Sequence, residues 1–178
     1  WGDLNHDGYP DLFLAALGKN YIFWNNEGKY FEIDSTSLPI NDSGYSTGSI
    51  IEDIDADGDL DIIVTNCQKS STKIYRNQIN SSDYIKIRLQ GGLSNTRGIG
   101  SRIYLYTDGH AGDDSFLLGS RELFCNTGYR SAALPEAFFG VEHNQTYSAA
   151  AVFPSGKTII RNNLIPGNRY LIKEGGGS

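Results

Sequence analysis

Two short acidic stretches, fifty positions apart, carry the side chains best suited to chemistry in this chain. Asp3, Asn5, Asp7 and Asp11 fall at positions one, three, five and nine of the first stretch. Asp53, Asp55, Asp57 and Asp61 hold the same places in the second, and Gly8 and Gly58 occupy position six. Alternate residues of a tightly curled loop point toward one centre. The glycine lets the backbone turn sharply enough for a position-seven carbonyl, from Tyr9 or Asp59, to reach that centre as well. Carboxylates this close repel one another unless a counter-charge lies between them. Hard oxygen donors in a forgiving geometry suit Ca²⁺, which accepts six to eight of them. The spacing therefore predicts two Ca²⁺ sites. An Asp/Gly turn without a metal is the alternative for a single copy, and two copies matching at every ligand position argue against it.

The elements that must hold these loops follow from what comes after them. An EF-hand shares positions one, three, five and six, but needs a glutamate at position twelve and helices on both sides. Here position twelve is Leu14 in one copy and Val64 in the other. Asp61 runs into Ile-Ile-Val-Thr, a β-branched apolar run that reads as a buried strand, and the repeat assigns a strand after Asp11 too. A dockerin-type pair fails for the same reason. Each copy then continues into a second short strand ending in an Asn turn, at Asn25-Asn26 and at Asn77-Gln78. The first goes on through Glu27-Gly28 to Tyr30-Phe31, a hairpin pattern. A period near fifty residues with several short strands per unit points to propeller blades.

With these motifs in hand, residues 1–80 resemble the FG-GAP/VCBS repeat. The resemblance implies about one and a half blades of a β-propeller, each with a Ca²⁺ in its Asp-rich loop. Similar repeats occur in integrin α-subunits and in secreted bacterial proteins.

From about Asp83 the acidic loops stop. Strand-like segments appear at residues 84–89, 101–106, 148–153 and 169–173, several alternating apolar with polar, separated by Gly/Asn/Ser turns. The expected fold is all-β, with a β-sandwich or small barrel in this half. The ordered series Asn95-Thr-Arg97-Gly98-Ile-Gly100-Ser-Arg102, Arg121-Glu122, Gly128-Tyr129-Arg130-Ser131, Phe139-Gly140 and Val152-Phe153-Pro-Ser155-Gly-Lys157 resembles the ASPIC/UnbV domain over residues 83–174. Phe153 stands where that family usually has Trp, and Phe139-Gly-Val where it usually has Phe-Gly-Leu-Gly. Both are apolar exchanges in expected core strands. The two modules together resemble the cartilage acidic protein type and its bacterial relatives.

Arg97, Arg102, Arg121, Glu122 and Arg130 could form an anion site, or Arg121-Glu122 could be a structural ion pair; the second is favoured. Ser155 has no nearby histidine to activate it. His6 sits at a non-ligand loop position, His110 in a Gly/Asp-rich turn and His143 in an exposed segment, with no zinc spacing among them.

Composition narrows the function further. The net charge is −6, and two Ca²⁺ ions would bring it to −2, so the acidity is largely site chemistry. No basic stripe suggests nucleic acid, and no apolar run has transmembrane length. Extracellular Ca²⁺ modules bind weakly and fill where free Ca²⁺ is high, which favours a secreted or cell-surface setting. Asn41, Asn80 and Asn144 head glycosylation sequons that arise easily by chance in such a chain. Cys67 and Cys125 could pair across the modules, or Cys67 could be a small core residue. Residues 175–178 read as a flexible linker, and the start at Trp1 suggests a piece of a longer protein. The remaining blades, a partner chain or a second copy would then cover the first blade's edge.

The expected function is a non-enzymatic extracellular calcium-binding module for adhesion or for protein or glycan binding. A polysaccharide-acting enzyme would need paired carboxylates outside the loops, for which Glu122, Glu136 and Glu142 are the candidates. A glycan binder would present exposed aromatics such as Tyr45, Tyr129 and Tyr147. A structural spacer would present neither.

Overall fold

The computed structural model describes residues 1–34, 36, 39, 44–68, 70–126, 128 and 131–175. Among them no α-helix occurs, and the chain is all-β. It divides into two compact units, one of Trp1–Asn80 with Asn126–Leu134, the other of Ser81–Cys125 with Pro135–Ser178.

The first unit holds two three-stranded antiparallel sheets, one per repeat. One runs β1 (Leu12–Leu14), β2 (Tyr21–Asn26) and β3 (Tyr30–Ile33). The other runs β4 (Tyr45–Glu52), β5 (Asp61–Cys67) and β6 (Lys73–Tyr75). Each acidic loop feeds the middle or opening strand of its sheet. The second joins β4 to β5 across the pair Glu52–Asp61. The first has its counterpart in the bridge Gly2–Asp11, closed by hydrogen bonds of 3.1 and 2.7 Å. The β2–β3 hairpin turns through Glu27 and Gly28, both at positive φ, with the Lys29 amide donating to the Asn26 carbonyl. Two central residues at positive φ give the turn that matches strand twist. Phe13, Ile22, Ile62 and Val64 are the buried apolar residues of these strands.

Asn126–Leu134, within the second region expected at 83–174, groups with the first unit. There the Ser131 hydroxyl accepts from the Ser49 amide at 3.3 Å, and the Leu134 amide donates to Glu52 Oε2 at 2.9 Å. Both bonds serve β4, the outer strand of its sheet, and the first occupies a backbone amide that an edge otherwise leaves open.

The second unit is a sandwich of two sheets. Its strands are β7 (Tyr84–Gln90), β8 (Arg102–Thr107), β9 (Leu117–Glu122), β10 (Glu136–Gly140), β11 (Tyr147–Val152), β12 (Thr158–Leu164) and β13 (Asn168–Lys173). Their orders are β10-β7-β13 and β12-β11-β8-β9, with β13 parallel to β7 and the other pairs antiparallel. Alternate residues of both sheets meet in one core: Ile85, Ile87 and Leu89 from β7, Ile103 and Leu105 from β8, and Tyr147, Ala149 and Ala151 from β11. Phe153 lies in that core and Val141 packs against it, so the apolar residues at both departures from the family pattern fill apolar space. Gly176–Ser178, most of the expected linker, lie outside the described residues.

Candidate metal centre

The two loops share one backbone path. His6 and Gly8 take positive φ at positions four and six of the first, as Ala56 and Gly58 do in the second. A left-handed residue at each of these places curls the chain so that its amides and odd-numbered side chains face inward. In the first loop the Asp3 carboxylate accepts from the Asp7 amide at 3.1 Å and from the Gly8 amide at 2.9 Å. Asn5 Oδ1 accepts from the Asp7 amide, and Asp7 Oδ1 from the Tyr9 amide. In the second loop Asp57 Oδ1 accepts from the Asp59 amide at 3.0 Å, repeating the Asp7–Tyr9 bond.

The position-nine aspartates lock each loop to its sheet in the same way. Asp11 Oδ2 accepts from the Leu4 amide at 2.9 Å, and its Oδ1 from the Asn25 amide at 2.8 Å. Asp61 Oδ2 accepts from the Ile54 amide at 3.1 Å, and its Oδ1 from the Asn77 amide at 2.8 Å. Each carboxylate oxygen thus keeps a lone pair for a further partner. Burial pushes the Asp11 carboxyl up to about 6, further than the two amides pull it down, and Asp3 and Asp7 add to the rise. Burial likewise raises Asp61, against the pull of Asn77 and Ile54 and with help from Asp55 and Asp57. A charge this expensive to bury is one that a cation would stabilise.

Among the described residues, Asp53, Asp55 and Asp61 bring carboxylate oxygens within 4.8 Å of one another. Oxygens at 2.3–2.6 Å from a Ca²⁺ lie at most about 5 Å apart, so this donor set fits the ion. Arg76 Nη1 lies 2.9 Å from Asp55 Oδ2, mostly in solvent. It offsets the carboxylate that the second loop carries where the first has Asn5. The side chain of Asp59 turns away from the cluster: it is fully buried, with Oδ2 accepting from the Asn80 amide. Position seven therefore has only its carbonyl to offer. Tyr9 at the same position of the first loop lays its ring against Gly28.

The other candidates of the sequence fall into structural places. The expected Arg121–Glu122 pair does not form, because neighbours on a strand face opposite sides. Glu122 pairs with Arg102 across β8 and β9 at 3.1 Å. Arg121 donates to the carbonyls of Phe138 and Ser120 and lies over the Phe139 ring. Arg97 is exposed, and Arg130 and Tyr129 lie outside the described residues. Glu136 is gripped by Arg88 and Arg169, and Glu142 accepts from Gln145. Tyr45 is exposed as expected, but Tyr147 is buried in the core with its hydroxyl donating to the Glu142 carbonyl, which removes it as a surface aromatic. His110 stacks on Phe116, and His143 faces Asp83 at 3.1 Å. Cys67 is a half-buried free thiol and Cys125 an exposed one.

One polar centre has no forerunner in the sequence reading. Glu174, buried at the end of β13, accepts from the amides of Gly92 and Ser94 and from the hydroxyls of Ser94 and Ser155. Burial would raise its carboxyl, but these bonds outweigh it and hold the group at about 2. Ser155 is thus a latch within this cluster, tying the Pro154-Ser155-Gly156 turn to the C-terminal strand. The signal available in sequence was a lone acidic residue after an apolar strand, which is too common to stand out.

Among curated proteins, none matches the chain. Family models do match: residues 3–64 fit the FG-GAP-like repeat, and residues 91–178 fit the ASPIC and UnbV domain. Their order and extents agree with the motifs that carry the loops and the sandwich. The chain is an FG-GAP-like repeat followed by an ASPIC and UnbV domain.

Proposed function

We propose that this chain is a non-enzymatic extracellular binding module whose Asp-rich loops hold structural Ca²⁺. The observation that carries the reading is the convergence of Asp53, Asp55 and Asp61 within 4.8 Å, in a loop whose backbone path is built twice. The first site would comprise Asp3, Asn5, Asp7, the Tyr9 carbonyl and Asp11. The second would comprise Asp53, Asp55, Asp57, the Asp59 carbonyl and Asp61. The ion would supply counter-charge and cross-link the loop; the chain's own residues supply its shape through the position-nine clamps. A secreted or surface setting agrees with weak sites that fill at extracellular Ca²⁺, and among the described residues no helix is long and apolar enough to cross a membrane.

The role we favour is adhesion or binding to a protein or glycan. Exposed apolar side chains on the first unit, including Leu17, Tyr30, Ile33 and Ile74, agree with an additional blade, partner chain or second copy lying against it. An enzymatic role has less support, since Glu122 and Glu136 are engaged by arginines. The test is a melt in EDTA with Ca²⁺ or Mg²⁺ added back. A Ca²⁺-selective rise supports the reading, and equal indifference to both ions overturns it.

A further inference from the structure

The two repeats are built alike, yet one pair of equivalent residues behaves differently. Asn25 near the end of β2 and Asn77 just after β6 hold equivalent places in the two repeats, and each gives its amide to the position-nine aspartate of its own loop. Asn25 Nδ2 then donates to the Pro10 carbonyl at 3.1 Å, inside its own repeat. Asn77 Nδ2 donates instead to the Leu4 carbonyl at 2.7 Å, position two of the other loop. A single residue is thus bonded at once to Asp61 of the second loop and to the backbone of the first.

Two further contacts run along the same seam. His6 Nε2 of the first loop stands 3.7 Å from Asp59 Oδ1 of the second, and both side chains are buried. Side chains of the second repeat also pack so closely on the Gly2 backbone that a Cβ there would meet Ile51 Cγ2 at 2.6 Å and Leu60 Cδ1 at 3.1 Å. Leu4 itself is clamped by Asp11, whose Oδ2 accepts the Leu4 amide. The path Asp61–Asn77–Leu4–Asp11 therefore joins the position-nine carboxylate of one loop to that of the other through three hydrogen bonds.

We infer that Asn77 is a positioning residue for the metal site of the neighbouring loop, so that the two loops bind Ca²⁺ cooperatively. An ion at the second loop fixes Asp61 and with it Asn77. That holds the Leu4 carbonyl, and hence the Leu4–Asp11 clamp, in the arrangement the first loop needs. The ordering of the first loop is then partly complete before its own ion arrives. By linkage the effect is reciprocal: an ion at the first loop strengthens the second by the same factor. The inference rests on the calcium reading above.

The test is a double-mutant cycle on the full chain, read at the first loop. Trp24 and Tyr9 line a pocket with Asn5 and Asp7, whereas Arg76 takes the place of Trp24 in the second repeat. Tb³⁺ emission sensitised by these rings, displaced by Ca²⁺, therefore reports the first loop preferentially. Calorimetric Ca²⁺ titration gives the total. Asp61→Asn should weaken Ca²⁺ at the first loop about fivefold or more, the lower end of usual coupling. Asn77→Ala should weaken it similarly, and adding Asp61→Asn to Asn77→Ala should do nothing further there. Asp55→Asn serves as the second-loop lesion if Asp61→Asn does not fold. Asn25→Ala should weaken the first loop while leaving its response to Asp61→Asn intact. First-loop affinity unchanged by Asp61→Asn, with both sites filling, overturns the coupling and leaves the calcium reading standing. Independent effects of Asn77→Ala and Asp61→Asn overturn it as well. No Ca²⁺ bound at either loop of the natural chain overturns both.

Discussion

Replacing Asp61 by Asn separates the metal's contribution from the loop's own bonds. The side chain keeps its shape, but an amide accepts at one end only, so one of the bonds from Ile54 and Asn77 is lost. A bond to a charged acceptor contributes about 1.5–3 kcal/mol. Against that, removing a buried carboxylate whose pKa is already raised by burial relieves a desolvation cost. The two terms oppose, so in EDTA the net destabilisation should be small, about 1 kcal/mol. Ca²⁺ should show a different picture. At a concentration of about 10 to 100 times the dissociation constant, each filled site adds about 1.4–2.7 kcal/mol. In a unit of about ninety residues, this corresponds to a rise of about 6–20 °C. Both tryptophans, Trp1 and Trp24, belong to the first unit, so their fluorescence follows its melting without interference from the sandwich. Asp61→Asn should lose at least half of the Ca²⁺-induced rise while melting close to the natural chain in EDTA. A variant that keeps the full rise would refute the assignment of Asp61 as a ligand. One that melts far lower in EDTA would show that the clamp, not the ion, is what Asp61 provides.

Acidification should move the melting temperature of the first unit in opposite directions with and without metal. The folded Asp11 carboxyl sits at about 6, above its usual 3.8, so the fold favours the protonated form. Apo stability then rises as pH falls through about 6, while in Ca²⁺ the proton competes with the ion and stability falls; parallel trends in EDTA and Ca²⁺ would contradict this. The sandwich should respond oppositely to apo loops, because Glu174 is held at about 2, below its usual 4.5. Its contribution is present above 4.5 and is lost as pH falls toward 2. Glu174→Gln should be less stable near neutrality and show a flatter acid transition by circular dichroism; equal acid transitions would remove its role as a latch. Gly91→Ala should be severe, since a Cβ there would lie 2.1 Å from the Asn95 carbonyl oxygen. About 3 kcal/mol of lost stability in urea unfolding is expected, and a neutral result would mean that the 91–95 turn rearranges freely.

The acidic loops stood out because their candidate ligands lie within nine consecutive residues, where spacing suggests which side chains share a centre. Strands β5, β7, β8 and β11 were legible for a similar reason, each carrying an apolar run or an alternation of its own. What the sequence could not disclose is whatever depends on a distant partner. Strand β9 reads Leu-Leu-Gly-Ser-Arg-Glu and has no clean two-residue period, so only its pairing with β8 makes it a strand. That pairing also decides that Glu122 meets Arg102 rather than its neighbour Arg121. Tyr147 looked like a surface aromatic until the register of β11 turned it inward. Glu174 finds its partners some eighty positions away, and a local window cannot weigh such a bond.

Asn77 is the instructive case. As a residue type after a short strand it reads as a turn former, and its equivalence to Asn25 reinforces that reading. Both also give their backbone amides to the position-nine aspartate of their own loop. The difference lies in the second hydrogen of one amide group, which stays home in the first repeat and crosses to Leu4 in the second. A repeat motif therefore specifies the unit, while the non-equivalent contacts of equivalent residues specify how one unit acts on the next. The proposed coupling resides in such asymmetric contacts, which comparing the sequences of the two repeats would not bring out.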